Sequence, residues 1–378
     1  MVLEKLNIFQ FRNYDSLELT LNPGINIIYG KNAQGKTNLL ESIYVLAFTK
    51  SHRSFIDNNL IKTGKKNCKI HGTVYSQNIP MQMEIMIGQH QKKIKIDQNE
   101  VKRMSDYISK MNIIIFYPED LELVKGSPGI RRRFLNLEIS QMYPHYLTVY
   151  NEYTKILKMR NDYLKQVNKG LKIDESYFEI LNKYFVEKAV MIYQYRLKFI
   201  KLLNENCPAI FQNLSGLSGL KINYHSAVNL ESEDVSEIQK SIYLKMDKVR
   251  NAEFHLGTTL VGPHRDDMEF YLNEQNVKFY GSQGQQRMVV LAIKLAEINI
   301  FYKNKDTMPI LLLDDVFSEL DDQKKNNLLS YIKEDVQTII TTTDLKNIDN
   351  SILDHAKLIE IEDGKIINMQ EEEKNGTK

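Results

Sequence analysis

The most constraining feature of this chain of 378 residues is a short loop between an apolar strand and a helix. Residues 25–29 have the composition of a buried strand, and residues 37–48 carry apolar side chains at helical spacing. In such a loop, inward-pointing backbone N–H groups and the helix N-terminus attract phosphate groups. The loop matches G-x-x-x-x-G-K-[ST] and reads Gly30, Lys31, Asn32, Ala33, Gln34, Gly35, Lys36 and Thr37. The sequence therefore predicts an α/β fold that binds a nucleotide, with Lys36 on its phosphates and Thr37 on Mg²⁺.

A second feature is an apolar strand that ends in two carboxylates, Asp314 and Asp315. Ligands of open α/β sheets bind at the carboxyl ends of the strands, so these side chains are predicted to lie beside the phosphate loop. We expect Asp314 to hold Mg²⁺ together with Thr37. We expect Asp315 to orient or deprotonate an attacking water molecule, which predicts hydrolysis of the nucleotide.

The segment 281–287 is rich in hydrogen-bond donors and precedes a long apolar helix. Ser282 is a favourable N-cap, and Gly284 would leave backbone amides open to an anion. A plain capping turn explains the same residues. This segment alone therefore leaves both interpretations open.

Strand–helix alternation occupies both ends of the chain, whereas the middle is helical. Apolar side chains recur at steps of three and four over 147–164 and 178–202, so two antiparallel helices are predicted to form an arm. The core helices of a second domain would carry the same pattern. The predicted domain division is a head built from both chain ends, a helical insert and a tail. Its bounds are 1–125 and 256–365 for the head, 126–255 for the insert and 366–378 for the tail.

Composition excludes several classes of protein. No apolar run approaches the roughly 18 residues that a membrane span needs. Cys68 and Cys207 cannot build a disulfide framework, and the start of the chain lacks the pattern of a signal peptide. We therefore expect a cytoplasmic protein with no membrane partner.

The net charge of +2 says little about partners, so a nucleic-acid surface must be sought locally. Basic clusters lie at 62–69, 92–95 and 131–133. A row of such side chains would neutralise DNA phosphates without reading the base sequence, although an ordinary solvated face explains each cluster as well. The candidate DNA-binding residues are Lys65, Lys66, Arg131 and Arg132.

The stretch 262–267 contains His264, Asp266 and Asp267, which could hold a metal ion in a nuclease. A structural or nucleotide-coupled role is the preferred interpretation, because the phosphate loop and the acidic strand already supply metal ligands.

The order of these motifs resembles that of the ABC-type ATPases. In this comparison residues 282–285 are similar to the signature loop and residues 318–321 to the D-loop. The split layout with a modest helical insert is similar to the RecF branch of the SMC and repair ATPases, and the resemblance covers residues 1–365. Five further stretches carry it: Phe11–Tyr14, Ser51–Arg53, Tyr117–Leu121, Arg131–Leu135 and Gly262–Asp267.

The resemblance implies roles for individual residues. ATP would be bound by the whole phosphate loop, by Asn38 and by Arg12. Ser282, Gly284 and Gln285 would act on the ATP of a second copy of the chain. The D-loop would use Ser318 and Asp321, and Thr343 would occupy the switch position.

The chain departs from the general ABC pattern at several positions. Gln283 replaces a glycine of the signature loop, and Asp315 stands where most ABC proteins have glutamate, which predicts slow hydrolysis. The switch position lacks a histidine, and the segment near Pro118 lacks the usual glutamine.

The resemblance implies an ATP-dependent DNA-binding protein of recombinational repair and replication restart. It would pair into a homodimer around ATP, bind gapped DNA at single-strand/double-strand junctions and promote loading of a recombinase with RecO- and RecR-type proteins. The implied enzyme activity is a weak, DNA-stimulated, Mg²⁺-dependent ATPase. The alternatives are a nucleotide-dependent nuclease that uses residues 262–267 and an ABC ATPase subunit of another DNA or membrane machine.

Overall fold

The structure is a computed structural model that describes residues 1–54, 56–319, 324–325, 327–328, 335–346, 348 and 350–370. Its Cα positions divide the chain into two compact units. Unit 1 comprises Met1–Asp120, Gln212–Gly216 and Leu291–Lys378. Unit 2 comprises Leu121–Phe211 and Leu217–Val290. The predicted domain division given above stays a prediction.

The strands are numbered in chain order. They are β1 (Val2–Phe11), β2 (Tyr14–Thr20), β3 (Ile25–Tyr29), β4 (Asn67–Ser76), β5 (Ile79–Gly88), β6 (Lys92–Ile96), β7 (Asn99–Glu100), β8 (Ile113–Phe116), β9 (Leu220–His225), β10 (Asp267–Leu272), β11 (Gln275–Asn276), β12 (Ile310–Asp314), β13 (Thr338–Thr342), β14 (Lys357–Glu362) and β15 (Lys365–Gln370).

The helices are numbered in the same way. They are α1 (Lys36–Phe48), α2 (Ser105–Ile108), α3 (Glu122–Lys125), α4 (Pro128–Met142), α5 (Pro144–Asn168), α6 (Glu175–Ser215), α7 (Val235–Leu256), α8 (Val277–Tyr280) and α9 (Gln283–Lys305). Short helical turns lie at Asp57–Leu60, Pro118–Leu121, Val316–Glu319 and Asn350–Leu353.

Unit 1 contains two six-stranded sheets. One has the order β15-β14-β3-β13-β12-β8, and its strands from β14 to β8 are parallel. The other is antiparallel, with the order β2-β1-β4-β5-β6-β7. Helix α1 contacts strands of both sheets, and eleven of its residues are buried. Most of these buried side chains are apolar, which favours a place in the core between the two sheets.

The antiparallel sheet shows the alternation that the sequence predicts for residues 68–98. In β4, Cys68, Ile70 and Val74 are buried, whereas Lys69 is exposed. Successive side chains point to opposite faces of a strand, so one face of this sheet joins the core and the other carries polar side chains.

Unit 2 contains α5 and most of α6, which form the predicted antiparallel pair. Tyr163 stacks on Phe178, Arg160 bonds Asn182 and Tyr146 meets Tyr195. Residues late in α5 thus contact residues early in α6, so the two helices run in opposite directions. The same unit holds the three-stranded antiparallel sheet β11-β10-β9.

A buried ion pair in unit 2 joins α5 to α7. Arg160 Nη2 donates to Glu253 Oε2 at 2.6 Å, and both side chains are 1% exposed. Asn182 and Thr259 accept the remaining guanidinium bonds, at 2.8 Å each. Because each of the three guanidinium nitrogens donates to an acceptor, part of the cost of burying the charge is offset by hydrogen bonds.

Helix α7 was not anticipated from the sequence, although its ends carry clear signals. Asp234 accepts hydrogen bonds from the backbone of Ser236 and Glu237, and Gly257 ends the helix with a φ of 64°. Ile238, Ile242 and Met246 are buried at a spacing of four. The sequence also predicts a helix over 322–332, and that segment lies largely outside the described residues. Across the described ranges, no helix combines the length and the apolar character that a membrane span requires.

A buried amide joins the two sheets of unit 1. Gln337 accepts a hydrogen bond from the Leu3 N–H at 2.7 Å and donates to the carbonyls of Leu3 at 2.9 Å and Asn22 at 2.7 Å. Its side chain is fully buried. Replacing it with an apolar residue would leave several backbone groups without partners.

We therefore expect Gln337→Leu to lower the free energy of unfolding by about 2–4 kcal/mol, because buried unsatisfied groups cost about 1–3 kcal/mol each. Urea unfolding followed by circular dichroism measures the loss. Gln89→Leu, at an exposed turn, is the control and should leave the midpoint within error. Equal stability of the two variants would contradict the structural role of Gln337.

Candidate nucleotide-binding site

The phosphate loop joins β3 to α1 as the sequence predicts. The loop backbone has positive φ at Gly30 (148°), Ala33 (65°) and Gly35 (110°). A Cβ at Gly30 would lie 2.3 Å from the Ile361 carbonyl oxygen, and one at Gly35 would lie 2.6 Å from Asn13 Nδ2. Glycine at both positions therefore permits a backbone curvature and a closeness of packing that other residues would disturb.

Lys36 begins α1 and turns its side chain back over the loop. Its Nζ donates to the carbonyl oxygens of Gly30 at 2.6 Å and Lys31 at 2.8 Å. Burial lowers the pKa of Lys36, while the charges of Asp315 and Asp314 act in the opposite direction. The ammonium group is thus held at the mouth of the loop, where an anionic ligand would meet it.

Thr37 and Asp314 meet at the carboxyl ends of the parallel strands. Thr37 Oγ1 donates to Asp314 Oδ1 at 3.0 Å, and Thr341 Oγ1 donates to the same oxygen at 2.7 Å. Burial raises the pKa of Asp314, and the bonds from Thr341 and Thr37 oppose that rise. A hydroxyl and a carboxylate in contact are an oxygen donor set that suits Mg²⁺.

Asp315 follows β12 and has a φ of 52°. Its N–H donates to Thr341 Oγ1 at 3.0 Å. Thr341 therefore holds the backbone of one acidic residue and the side chain of the other. The sequence interpretation placed residues 341–344 at the switch position and chose Thr343 there, but it gave Thr341 no role beside Asp314, although the end of a strand was a usable signal.

A buried carboxylate on α1 holds two arginines. Glu41 accepts Arg12 Nε at 2.8 Å and Arg12 Nη2 at 2.7 Å, and it also lies 3.8 Å from Arg53 Nη1. Burial by itself would raise the pKa of Glu41, but the hydrogen bonds from Arg12 and Ser51 outweigh it and lower the pKa below its ordinary value. Glu41 is a residue that the sequence interpretation did not identify.

The turn between β14 and β15 contacts the phosphate loop. Gln34 accepts hydrogen bonds from Asp363 N at 2.6 Å and from Gly364 N at 3.0 Å. Asn13 bonds the Gln34 carbonyl at 3.3 Å and accepts a bond from Asn38 at 2.9 Å. Residues near both ends of the chain therefore support the loop. The sequence around Asp363 and Gly364 predicts a hairpin, which β14 and β15 confirm.

In unit 2, the predicted signature loop forms a capping box at the start of α9. Gln285 N donates to Ser282 Oγ at 3.2 Å, and Ser282 N donates to Gln285 Oε1 at 2.8 Å. Ser282 and Gly284 are exposed. The prediction that this segment caps a helix is confirmed. Its action on the ATP of a second copy of the chain stays a prediction.

Other predicted residues lie as follows. Thr343 comes directly after β13, next in sequence to the strand end that carries Thr341. Ser318 lies in the helical turn Val316–Glu319, and Asp321 lies outside the described residues. Lys65 and Lys66 are exposed in unit 1.

Arg131 is placed differently from the other predicted DNA-binding residues. It is buried and pairs with both carboxylate oxygens of Asp267, at 2.7 and 2.8 Å. It also donates to the Gly126 carbonyl at 3.0 Å. Its guanidinium serves the fold of unit 2, and Arg132 donates to the Asp266 carbonyl at 2.7 Å.

The stretch 262–267 points into unit 2 rather than forming a metal cluster. Tyr153 Oη lies 2.6 Å from His264 Nδ1, and Tyr224 Oη donates to Asp266 Oδ2 at 2.8 Å. Burial lowers the pKa of His264 to about 4 and raises the pKa of Asp266 to about 6. Within the described residues, no three His, Cys, Asp or Glu side chains are grouped so that they could hold a metal ion.

A phosphate loop, an acidic strand end beside it and a sheet assembled from both chain ends define the head of an ABC- and SMC-type ATPase. The family model described as "RecF/RecN/SMC N terminal domain" matches residues 2–366. The Smc head domain derived from Pyrococcus furiosus shares this fold with a TM-score of 0.53 over 97% of this chain and 95% of that chain, at 16% identity.

Proteins of higher sequence identity identify the family within this class. The DNA replication and repair protein RecF of Listeria welshimeri is 44% identical over 97% of this chain and 99% of its own length. Its counterpart in Bacillus cereus is 42% identical over 97% of this chain and 98% of its own length. A solved structure of the recombination mediator protein RecF-ATP of the RecFOR pathway covers 98% of this chain and 97% of its own, with a TM-score of 0.90 and 30% identity. The chain belongs to the RecF family.

Thr341 offers a direct test of the acidic site. We expect Thr341→Val to raise the pKa of Asp314 further, because the variant loses a hydrogen bond to the ionised form. Mg²⁺-dependent nucleotide binding should weaken about tenfold, as the loss of a charge-assisted bond worth about 1.5–3 kcal/mol predicts, and weaken more at lower pH. Magnesium titration with a fluorescent nucleotide measures the effect.

Thr338→Val is the matched control, since Thr338 lies on the same strand and its hydroxyl donates only to the Val336 carbonyl in the described contacts. An unchanged magnesium dependence in Thr341→Val would show that the threonine does not support the carboxylate.

Proposed function

We propose that this protein is an ATP-dependent DNA-binding protein of replication and recombinational repair, in which ATP joins two copies of the chain. The observation that carries the proposal is the contact of Thr37 with Asp314 beside the phosphate loop, 3.0 Å apart. The names of the relatives, DNA replication and repair protein and recombination mediator, agree with it.

ATP and Mg²⁺ fit the residues present. The glycine-rich loop and Lys36 would bind the phosphates, and Thr37 and Asp314 would hold Mg²⁺, which neutralises phosphate charge when bound. Arg12 and Asn38 extend this surface from β1 and α1. The ion pair with Glu41 and the bond of Asn38 to Asn13 give both side chains fixed orientations.

Asp315 is the proposed group that orients the attacking water and takes its proton. The Thr341 hydroxyl fixes the Asp315 backbone beside Asp314. Aspartate has a shorter side chain than the glutamate usual in ABC proteins, so its carboxylate reaches less far from the strand. This difference supports slow hydrolysis, with DNA stimulation as the remaining part of the proposed enzyme activity.

The proposed dimer follows from the signature residues. One chain carries one phosphate loop and one signature loop, so a two-fold pair would form two composite sites. Ser282, Gly284 and Gln285 of one copy would bind the γ-phosphate held by Lys36 of the other, with Ser318, Asp321 and Thr343 at the same junction. Hydrolysis would remove the shared phosphate and loosen the pair.

DNA is the proposed macromolecular partner, in the form of gaps with single-strand/double-strand junctions. RecO- and RecR-type proteins are the proposed protein partners, in keeping with the RecFOR pathway named for the similar structure. Exposed Lys65 and Lys66 support contact with DNA phosphates. His264 and Asp266 instead bond tyrosine side chains within unit 2, so they do not support the nuclease alternative.

We expect Lys36→Met to abolish ATP-dependent dimerisation and ATP-dependent retention on gapped DNA, because the phosphates lose their main charged partner. Light scattering with and without ATP measures pairing, and a filter-binding assay measures retention. Lys172→Met, at an exposed position of unit 2, serves as the control. Undiminished dimers in Lys36→Met would refute the assignment.

The Ser282→Arg variant tests ATP binding and dimerisation separately. The variant should bind ATP with the affinity of the parent, because the phosphate loop is intact, and should fail to dimerise, because a bulky cation replaces the hydroxyl at the shared phosphate. Equilibrium nucleotide binding and light scattering give the two readouts. ATP-dependent dimers of this variant would rule out the shared site.

A further inference from the structure

The outer face of the antiparallel sheet in unit 1 combines an exposed aromatic ring with lysines. Strand pairing aligns Phe9 with Ser16 on β2 and with Lys69 on β4. Lys69 in turn pairs with Met86 on β5, and Met86 with Lys93 on β6. These five side chains form one row across five strands, which we name the Phe9 row.

The Phe9 row lies on the open side of the sheet. The adjacent row on the other side is buried and contains Leu17, Ile8, Ile70, Ile85 and Ile94. Phe9 is 48% exposed, and the Lys69 side chain is 45% exposed. About half of the Phe9 ring is therefore open to solvent near the end of β1, with lysine side chains in the same row.

The next rows add further positive charge. Lys95 lies in the row that also holds Glu18, His71 and Glu84, and Lys5 lies in the row beyond. The Lys95 row also includes Glu100 on β7, so these three rows together carry four lysines and three glutamates. Glu84 accepts from Lys69 at 2.7 Å and lies 4.0 Å from Lys95, and exposed pairs of this kind are weak and exchange readily with other anions.

The basic loop before β4 continues the same surface. Lys62 N donates to the Gln10 carbonyl at 2.8 Å, which places residues 62–66 beside the end of β1 that carries Phe9. Lys65 and Lys66 are exposed there, and Asn67 begins the strand that carries Lys69. The lysines of this loop therefore lie beside the end of the sheet face that carries Phe9.

We propose that this face binds single-stranded DNA, with a base stacked on Phe9 and the backbone phosphates on Lys69 and Lys93. Neighbouring strands lie about 4.8 Å apart, so these lysines stand about 10 Å apart on one side of the ring. Aromatic stacking with flanking cations is the usual means of binding single strands without sequence preference. The inference rests on the DNA-binding part of the proposed function and is independent of ATP-driven pairing.

The first test measures stacking. A short fluorescein-labelled oligothymidylate and a matched duplex are titrated with the full-length protein without nucleotide, and anisotropy gives the affinities. Phe9→Ala should weaken single-strand binding at least about fivefold, the low end for loss of one stacked base, and leave duplex binding unchanged. Phe9→Tyr should restore the affinity, and Tyr184→Ala, at an exposed ring of unit 2, should have no effect.

The second test measures phosphate contacts. Lys69→Gln/Lys93→Gln should reduce the slope of log affinity against log salt by about 1.4, since each single-strand phosphate contact contributes about 0.7. Lys169→Gln/Lys172→Gln removes the same charge from exposed positions of unit 2 and should leave the slope unchanged. An equal fall of this slope in the two double variants would overturn the proposal. An equal loss of affinity of Phe9→Ala for single-stranded and duplex DNA would overturn it as well.

The Lys36→Met variant distinguishes this inference from the proposed function. Single-strand binding without nucleotide that survives Lys36→Met and falls with Phe9→Ala supports the sheet face whether or not ATP pairs the chains. Binding that Phe9→Ala and the Lys69/Lys93 double variant leave intact overturns the sheet face and leaves the ATP-dependent dimer untouched.

Discussion

The bond between Thr37 and Asp314 is the constraint on which unit 1 depends. It joins residues 277 positions apart, one at the start of α1 and the other at the end of β12. The contact requires β3 and β12 to lie on either side of β13 with their carboxyl ends level, and the parallel register of these strands meets that requirement. Burying a carboxylate costs free energy, and the hydrogen bond that the Thr341 hydroxyl donates to Asp314 offsets part of that cost.

The same constraint explains why both chain ends enter one sheet. The phosphate loop packs so closely on β14 that only glycine fits at position 30, and the β14–β15 turn donates two backbone hydrogen bonds to Gln34. The C-terminal hairpin is thus one wall of the loop. Gln337 binds the N-terminal strand to the same region. In sequence, most of unit 2 lies between these segments.

Local patterns predicted the parts of the site that are encoded locally. The loop, α1, β12 and the hairpin each have a motif or a periodicity, and the structure places them accordingly. The roles of Thr341 and Glu41 were not predicted, because those roles depend on partners 27 and 29 residues away, Asp314 and Arg12. Sequence pattern reports the period of an element, whereas these contacts depend on which elements pair.

The basic residues also show that sequence pattern alone does not predict the surroundings of a side chain. Arg131 and Lys69 belong to basic clusters that look alike in sequence, yet one is buried against Asp267 and the other is exposed on a sheet face. The chemistry of the two side chains accounts for the division. A planar guanidinium can satisfy two carboxylate oxygens and several carbonyls at once, so arginine tolerates burial, as Arg160 and Arg196 also do. Lysine is a strongly hydrated point charge, and Lys69 remains at the surface, where it can contact phosphates without demanding a fixed geometry. Basic clusters that look alike in sequence can therefore differ in exposure, so the basic surface of a nearly neutral chain has to be located from the structure.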